Sequence, residues 1–141
     1  MLSNTHFSIA VHILTVLAYR DGESVASADL ARSVDTNPSF LRGLIGSLRD
    51  AGLVETSMGK GGGARLARDP STISLRDVYR ATESGPALRA HECSRDSWCP
   101  VAAGMGRVLG DLNRGVESAV DQELASSTIG GLVSEYYSAR T

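Results

Sequence analysis

The sequence predicts a mainly α-helical fold, a winged helix–turn–helix with a two-stranded wing and a long C-terminal helix. Three observations lead to this prediction. Two short amphipathic segments with a polar turn between them occupy residues 27–52. A glycine-rich hairpin pattern follows directly, over residues 53–67. From Cys99 onward, apolar residues recur at three- and four-residue steps over a length typical of a long helix.

The first helix is predicted at about residues 4–19 and is apolar on more than one side. Such a helix is expected to be buried both by its own domain and by a partner subunit. A polar stripe remains along it, formed by Ser8, His12, Thr15 and Tyr19. His12 could bind a ligand or respond to pH, although a single histidine on a polar stripe is usually solvated.

Two further helices flank a polar turn. Ser27 is expected to cap the first of them, and residues 35–37 supply the turn. Asn37 is a good N-cap for the next helix, and Pro38 is a good first residue because the amide that proline lacks has no partner there. The apolar stripe of this helix repeats at i, i+3, i+4 and i+7 and comprises Leu41, Leu44, Ile45 and Leu48.

The outward face of the second of these helices, which we call the recognition helix, carries small and basic residues. It comprises Ser39, Arg42, Gly43, Gly46, Ser47 and Arg49. Two glycines in an exposed helical face cost about 1 kcal/mol each relative to alanine. Close approach of the backbone to a groove or a phosphate would compensate that cost. The alternative is a small bundle whose third helix is polar on the outside.

The wing is predicted from strands at residues 53–58 and 64–67, joined by a loop of four glycines and Lys60. Glycine permits positive backbone dihedrals and lets backbone amides approach a sugar–phosphate surface. Arg65 and Arg68 add positive charge. The loop does not match a nucleotide-binding phosphate loop, because a glycine follows Lys60 and a strand, not a helix, comes next. A plain flexible hairpin remains the alternative.

Positive charge is concentrated in the recognition helix and the wing. The whole chain has 14 basic and 16 acidic residues and a net charge of −2. Residues 37–68, however, contain five basic and two acidic residues, a net charge of +3. Residues 81–141 contain five arginines and eight acids, a net charge of −3. This distribution is the one that contact with DNA phosphates requires.

The C-terminal half predicts two short helices and one long one. Residues 74–77 have the form of a capping box and open a helix that ends near residue 83. A loop containing Cys93 leads to the long helix, which begins at Cys99 and Pro100, and a last helix at 128–137 is expected to pack on the body. The apolar seam of the long helix comprises Val101, Met105, Val108, Leu112, Val116, Ala119, Val120 and Leu124. Because little else in the chain can cover that seam, we expect it to form a homodimer interface.

Composition limits the class of protein. A chain of 141 residues with 42% hydrophobic residues suits one helical domain with an appendage. No basic leader precedes an apolar core as in a signal peptide, and no apolar run reaches the length of about 18 residues that a membrane span needs. We therefore expect a cytoplasmic protein without a membrane partner, in which two cysteines do not form a permanent structural disulfide.

The sequence resembles the Rrf2 family of bacterial transcription regulators over nearly its whole length. The resemblance rests on the amino-terminal helix and on residues 37–41 (NPSFL), 48–54 (LRDAGLV), 59–67 (GKGGGARLA) and 73–78 (ISLRDV). It implies a homodimeric winged-helix protein, usually a repressor, with the recognition helix in the major groove and the wing on or in the minor groove. Such proteins commonly pair two DNA-binding heads on a palindromic operator.

Many members of that family bind an iron–sulfur cluster through three cysteines. Cys93 and Cys99 match the first two, but no cysteine stands near residues 105–106, where the third would fall. A cluster needs four ligands, which two thiolates per subunit do not supply. His12 matches a position from which some members supply a ligand to the partner subunit, but Ser8 replaces the carboxylate at the companion position. The sequence therefore resembles more closely the cluster-free branch, and no cofactor is expected with confidence.

The two cysteines leave several interpretations open. Cys99 is predicted at the amino end of the long helix, where free amides and the helix dipole favour the thiolate. Cys93 is near enough in sequence to form a disulfide with it. A reversible thiol switch, a cluster or other metal, and unreactive thiols are the alternatives. Zinc is poorly supported because the spacing is wrong and no second pair follows.

Taken together, the residues and the resemblance indicate a sequence-specific DNA-binding transcription regulator, a dimeric repressor with a redox-responsive cysteine loop. We expect a DNA-binding domain at 1–83, a sensor loop at 84–99 and dimerisation and C-terminal helices at 100–141. The expected DNA contacts are Ser39, Phe40, Arg42, Gly43, Ser47, Arg49, Lys60, Gly61, Gly62, Gly63 and Arg65. Arg42 is the best candidate for a base contact, because arginine can bind guanine with two hydrogen bonds.

Two other functions compete with this one. A cluster-sensing regulator would use Cys93, Cys99 and His12 of the partner helix as its weak candidate ligands. Alternatively, the winged helix could serve a protein partner in place of DNA. No catalytic group of residues suggests an enzyme.

Overall fold

Residues 4–137 of the computed structural model form six α-helices and one two-stranded sheet, and residues 1–3 and 138–141 lie outside this description. The elements in chain order are α1 (His6–Tyr19), α2 (Ser27–Val34), α3 (Pro38–Asp50), β1 (Val54–Ser57), β2 (Gly63–Leu66), α4 (Leu75–Thr82), α5 (Pro100–Ala125) and α6 (Ile129–Tyr137), with a 3₁₀ turn at Pro70–Thr72. This is the predicted winged helix–turn–helix with a long C-terminal helix. None of the helices described is both long and apolar enough to cross a bilayer.

One hydrophobic core lies between α1, α2, α3 and the base of the wing. The core face of α3 is the predicted one, with Leu41, Leu44, Ile45 and Leu48 all buried. From α1 the buried residues are Ala10, Ile13, Leu14 and Leu17. Burying a side chain of the size of leucine stabilises a fold by about 1.5–3 kcal/mol, so these two stripes account for much of the stability of the head.

The first helix matches its prediction only in part. It begins at His6, two residues later than expected, because the Asn4 side-chain oxygen accepts the His6 amide proton at 3.0 Å and holds the chain outside the helix. Its remaining apolar residues, such as Ile9, Val11 and Val16, are half-buried. The second apolar side of α1 is therefore partly open to solvent within one chain.

The predicted cap of α2 is wrong by one residue. Ser27 is already helical, and the N-cap is Ala26, whose side chain makes no capping bond. The Ala26 carbonyl instead accepts the amides of Asp29 and Leu30, at 3.0 and 3.1 Å. Its extended backbone is fixed from outside the helix, since the preceding Val25 pairs with Ala64 of the wing. A tertiary contact thus does here what a capping side chain does elsewhere.

The start of α3 is confirmed as predicted. The Asn37 side-chain oxygen accepts the Phe40 amide proton at 2.8 Å, and Pro38 is the first helical residue. The helix ends before Gly52, whose φ of +77° is a left-handed conformation that glycine adopts without strain. Both ends of the recognition helix are therefore set by local sequence.

The wing is an antiparallel hairpin that is attached to the body at its base. Val54 lies opposite Leu66, and Ser57 lies opposite Gly63. The first strand is two residues shorter than predicted, and the second has the predicted length but begins one residue earlier, at Gly63. Val25 adds a partial third strand, because its amide donates to the Ala64 carbonyl at 2.8 Å and its carbonyl accepts the Ala64 amide at 2.9 Å.

The capping box before α4 is confirmed. The Ser74 hydroxyl accepts the Asp77 amide proton and the Asp77 carboxylate accepts the Ser74 amide proton, both at 3.1 Å. As predicted, α6 packs on the body, where Ile129 is buried and donates its amide to the Ile73 carbonyl at 2.9 Å.

The long helix α5 behaves differently from the others. Among its 26 residues none is buried, and Val101, Val108 and Leu112 are each more than half exposed. It is joined to the body by polar contacts, including an Arg80–Asp121 ion pair with 2.7 Å between nitrogen and oxygen. The predicted apolar seam is therefore present and uncovered in the single chain.

Candidate nucleic-acid interface

The outer face of α3 is open to solvent. Ser39, Arg42, Gly43, Ser47 and Arg49 are all exposed, as the sequence predicts. A Cβ atom built on Gly43 meets nothing within 4 Å, so the glycine is not required by packing inside the protein. The outer face of the recognition helix therefore carries small and basic residues, a composition that suits close approach to a DNA groove.

Phe40 differs from the other predicted contacts of α3. Its side chain is half-buried and packs against the core. Its ring also contacts the His6 ring, with 5.1 Å between ring centroids. Most of its surface is thus used inside the protein, and only the exposed part of the ring is left for a partner.

Basic side chains near this face divide into paired and unpaired groups. The Arg42 and Lys60 side chains are exposed and make no hydrogen bond or ion pair with any residue from 4 to 137. Arg65 instead pairs across the wing with Glu55 at 3.1 Å, and Arg49 lies 3.6 Å from an Asp50 oxygen. Exposed ion pairs contribute about 0–1 kcal/mol, so both can be exchanged for phosphate contacts at little cost.

Arg68 turns away from the interface. Its guanidinium donates to the Thr72 carbonyl and to the Asp77 carboxylate, the latter at 3.2 Å. Burial alone would raise the pKa of Asp77, but the hydrogen bonds from Ser74 and Arg68, together with the charge of Arg68, outweigh it and lower that pKa. Arg68 therefore ties the wing to α4 and is less available to DNA than its sequence position suggests.

The glycines of the wing have reasons within the fold. Gly61 has a φ of +79° at the third position of a turn that the Gly62 amide closes onto the Gly59 carbonyl at 3.0 Å. A Cβ on Gly62 would lie 2.6 Å from the Ser57 carbonyl oxygen. Their placement therefore does not by itself require contact with DNA, although it keeps the backbone of the wing tip uncovered.

Gly63 is constrained more strongly still. Its φ is +149°, and a Cβ there would lie 2.2 Å from the Val25 carbonyl oxygen. The contact is long-range and gives no signal in the local sequence. It explains how the wing base can approach the loop before α2.

Sequence reasoning did not single out Met58. This side chain is fully exposed at the end of β1, beside the wing tip. The one available signal was an apolar residue directly before a glycine-rich loop, which is also typical of an ordinary strand end.

The predicted sensor residues are placed around the start of α5. Both Cys93 and Cys99 are free and half-buried. Cys99 is the N-cap of α5, as predicted, and its own amide donates to the Ser97 hydroxyl at 3.2 Å. The adjacent Trp98 is 95% exposed.

A metal cluster does not fit the side chains that one chain brings together. Within residues 4–137 no three His, Cys, Asp or Glu side chains are grouped to hold a metal ion. His12 lies elsewhere, with its Nε2 3.2 Å from the Ser33 hydroxyl. An iron–sulfur cluster needs four ligands, so the donor set of a single chain is insufficient.

Comparison with known proteins agrees with this geometry. A family model described as "Rrf2: Iron-dependent Transcriptional regulator" matches residues 3–135. The chain is 33% identical to YwnA of Bacillus subtilis, a candidate HTH-type transcriptional regulator, over 126 residues that cover 89% of this chain and 92% of YwnA. It is 31% identical to the HTH-type transcriptional regulator IscR of Vibrio vulnificus over 123 residues, 87% of this chain and 71% of that protein.

A solved structure supports the same conclusion. CymR, the global cysteine regulator of B. subtilis, superposes with a TM-score of 0.68 at 26% identity, covering 94% of this chain and 95% of CymR. The matched family and these relatives are transcription regulators, and the matches span nearly the whole chain. The chain belongs to the Rrf2 family of winged helix–turn–helix transcription regulators.

Proposed function

We propose that the protein is a homodimeric repressor that binds a palindromic DNA operator in the cytoplasm. The observation that carries this proposal is the open outer face of α3, where the Arg42 guanidinium is exposed and unpaired within residues 4–137. The proposed contacts are Ser39, Phe40, Arg42, Gly43, Ser47 and Arg49 of α3 and Lys60, Gly61, Gly62, Gly63 and Arg65 of the wing. The proposed division is a DNA-binding domain at 1–83, a sensor loop at 84–99 and a dimerisation region at 100–141.

The proposed base contact is made by Arg42. A guanidinium can donate two hydrogen bonds to the O6 and N7 atoms of guanine, which gives discrimination of about 1–3 kcal/mol against the wrong base. Lys60 at the wing tip supplies a phosphate contact, which strengthens binding to all sequences alike. The glycine backbone of the wing lets that tip approach the minor groove.

The homodimer is supported by the uncovered apolar side of α5. A shallow apolar surface there is lined by Val108, Asp111, Leu112, Gly115, Val116 and Ala119. A single-sided apolar stripe along a 26-residue helix is the usual basis of an antiparallel or parallel helix pair. Two such chains related by a two-fold axis would present two recognition helices to the two halves of a palindrome.

Salt dependence tests the choice of DNA over a protein partner. Binding to duplex DNA that neutralises several phosphates weakens steeply with salt, with a slope of log K against log salt of about −0.9 for each phosphate contact. We expect a clear negative slope for the wild type and a slope smaller by about two for Lys60→Gln, because the proposed dimer loses one phosphate contact in each subunit. A winged helix that serves a protein partner would show no binding to duplex DNA, or binding indifferent to salt.

For the cysteines we propose a reversible thiol switch. Cys99 lies at the N-cap of α5, next to free backbone amides, and Cys93 precedes it in the same loop. Oxidation of one thiolate to a sulfenic acid by a peroxide, followed by attack of the other thiolate on that sulfur with loss of hydroxide, would join the two as a disulfide. The disulfide would change the loop beside the proposed dimer helix.

The switch is tested by oxidising anaerobically purified protein while measuring DNA affinity and free thiols. We expect affinity to fall as two thiols per chain are consumed, and Cys99→Ser to abolish both changes. DNA release by oxidant that persists in Cys99→Ser would exclude this switch. Iron bound to the anaerobic protein, with visible absorbance, would show that the partner chain completes a cluster site.

A further inference from the structure

The long helix α5 has a third face, which its bonds to the body do not use and which shares only Asp111 with the lining of the proposed dimer seam. One face is bonded to the preceding segments, since Asn113 accepts the Leu88 amide at 2.8 Å and Glu117 accepts the Ala87 amide at 3.1 Å. A second face carries the exposed apolar seam described above. The third, turned away from the seam by helical periodicity, carries Arg107 and Arg114.

A groove lies between this third face and the loop that precedes α5. It has a volume of about 890 Å³ and is lined by Cys93, Arg95, Ala103, Gly104, Gly106, Arg107, Gly110, Asp111 and Arg114. Small-molecule sites are commonly clefts of about 300–1,000 Å³. The groove is therefore large enough for a metabolite, and two separate parts of the chain form its walls.

The groove is strongly positive in a chain whose net charge is negative. Three guanidinium groups line it and only one carboxylate, that of Asp111, which pairs with Arg114. The guanidinium groups of Arg95 and Arg107 have no hydrogen-bond or ion-pair partner among residues 4–137. Like charges brought together without a counter-charge repel, so an anion bound between them would be favoured.

The glycines of the groove have no reason inside the folded chain. Glycine in the middle of a helix costs about 0.5–1 kcal/mol relative to alanine. Yet a Cβ atom on Gly104 or Gly106 would meet nothing within 4 Å, and one on Gly110 would meet only the tip of Arg114 at 3.9 Å. Their absent side chains leave the floor of the groove free for a ligand.

We propose that this groove binds a small organic polyanion carrying at least two carboxylate or phosphate groups. Guanidinium groups recognise both chemistries with paired hydrogen bonds. Arg107 and Arg114 are seven residues apart, which is about 10 Å along a helix, so they suit two separate anionic groups of one molecule. Arg95, from the loop, supplies a third guanidinium to the groove.

An anion in this groove would connect the loop to α5. The loop carries Cys93, and α5 is joined to α4 by the Arg80–Asp121 pair. Because α4 in turn contacts α3, the ligand is placed to alter how the long helix sits on the DNA-binding head. The inference that a ligand in the groove alters DNA binding rests on the proposed function. The inference that the groove binds a polyanion does not.

Calorimetric titration of the full chain with citrate and, separately, with pyrophosphate tests the site. Sodium chloride at matched ionic strength is the blank. We expect saturable binding of at least one probe at concentrations up to about 10 mM, and saturation only by citrate or only by pyrophosphate would identify carboxylates or phosphates as the preferred group. The absence of saturable binding by both probes would overturn the proposal.

Location is tested by variants and by thiol labelling. Arg107→Gln should weaken binding about tenfold or more, and Gly106→Leu, which fills the groove floor, should abolish it without loss of helix. Arg89→Gln removes the same charge from the loop outside the groove lining and should bind as the wild type does. The bound probe should also slow alkylation of Cys93 relative to Cys99.

Equal weakening by Arg89→Gln and Arg107→Gln would reduce the effect to overall charge and overturn the proposal. The two proposals also fail separately. Without probe, Arg107→Gln should bind operator DNA normally, whereas Arg42→Gln should lose DNA and still bind the probe. A protein that binds the probe and no DNA would keep the site and remove the proposed function.

Discussion

At the scale of single residues, the basic side chains differ in whether they are already paired with an acid, and this difference matters more for DNA binding than their number. Arg65 and Arg68 belong to the positive region counted in the sequence, but both are bonded to acids within the fold. Arg42 and Lys60 have no such partner in residues 4–137 and need not break a bond to reach DNA. These two side chains should therefore dominate, one for specificity and the other for general affinity.

Arg42→Gln should cost about 1–3 kcal/mol of operator binding for each subunit of the proposed dimer, and should relax specificity at one base pair of each half-site. The reason is the loss of a two-bond contact to a base edge. Binding to a panel of single-base operator variants measures both effects, with Arg89→Gln as a charge-matched control outside the head. Uniform weakening across the panel would instead mean a phosphate contact.

Gly43→Ala separates the demands of folding from those of DNA. Because a Cβ there meets nothing within 4 Å, the substitution should stabilise the protein by about 1 kcal/mol. If the backbone of α3 approaches a base or phosphate, the same methyl group should weaken operator binding. Thermal unfolding and DNA titration measure the two effects, and Gly104→Ala on α5 should give the stability gain alone. A Gly43→Ala variant with undiminished DNA affinity would refute close backbone approach.

At the scale of elements, the predicted helix starts are confirmed where the residues that fix them are close together in sequence. Asn37 and Pro38 fix the start of α3, and Ser74 and Asp77 form the capping box of α4, all within four residues of sequence. The predicted cap of α2, Ser27, is wrong because the backbone before Ala26 is held by a bridge from Val25 to Ala64 of the wing, nearly forty positions away. No local pattern carries that information.

The wing glycines are proposed DNA contacts, but the fold itself also requires some of them. Gly63→Ala should lower the unfolding midpoint strongly, because its Cβ would overlap the Val25 carbonyl. Gly61→Ala meets open space and should cost only the strain of its positive φ, about 1–2 kcal/mol. Thermal unfolding of the two variants measures the difference. Equal destabilisation by both would contradict the described attachment of the wing base.

The capping box predicts a pH dependence. Because the pKa of Asp77 is lowered in the fold, its ionised form stabilises the protein above the unfolded pKa of about 4, and that contribution is lost as pH falls through the folded value. Asp77→Ala should therefore destabilise by about 1 kcal/mol near neutral pH and by less in acid. Urea unfolding at a series of pH values measures this. Asp50→Ala, which removes an exposed ion pair, should show little effect, and a pH-independent loss for Asp77→Ala would contradict the account.

At the scale of the whole molecule, the chain has one well-packed head and one long helix without a buried residue. The apolar seam of α5 can be predicted from the sequence, because apolar residues recur at three- and four-residue steps along a regular helix. The groove beside α5 cannot be predicted in this way, because Arg95 comes from an irregular loop and lines the same groove as Arg107 only in the folded chain. Periodicity in the sequence predicts the faces of a single helix. A site between a loop and a helix can be identified only from the folded structure.

Leu112→Asp tests the use of that apolar seam. A charge in the proposed dimer interface must lose water and finds no partner there, so it should shift the protein to monomer. Sedimentation measures the mass, and operator affinity should fall because two heads no longer bind as a unit. Ser118→Asp adds the same charge on another exposed face of α5 and should leave the dimer intact. A monomeric wild type, or a dimeric Leu112→Asp, would contradict this assignment.

Selection of bound duplexes from a random DNA pool by the reduced, full-length protein tests whether the exposed face of α3 reads DNA sequence. We expect enrichment of a palindrome whose two half-sites each contain a guanine that ceases to be selected in Arg42→Gln. A pool that stays random after repeated rounds, or one enriched equally by Arg42→Gln, would contradict the claim that the exposed face of α3 reads DNA sequence.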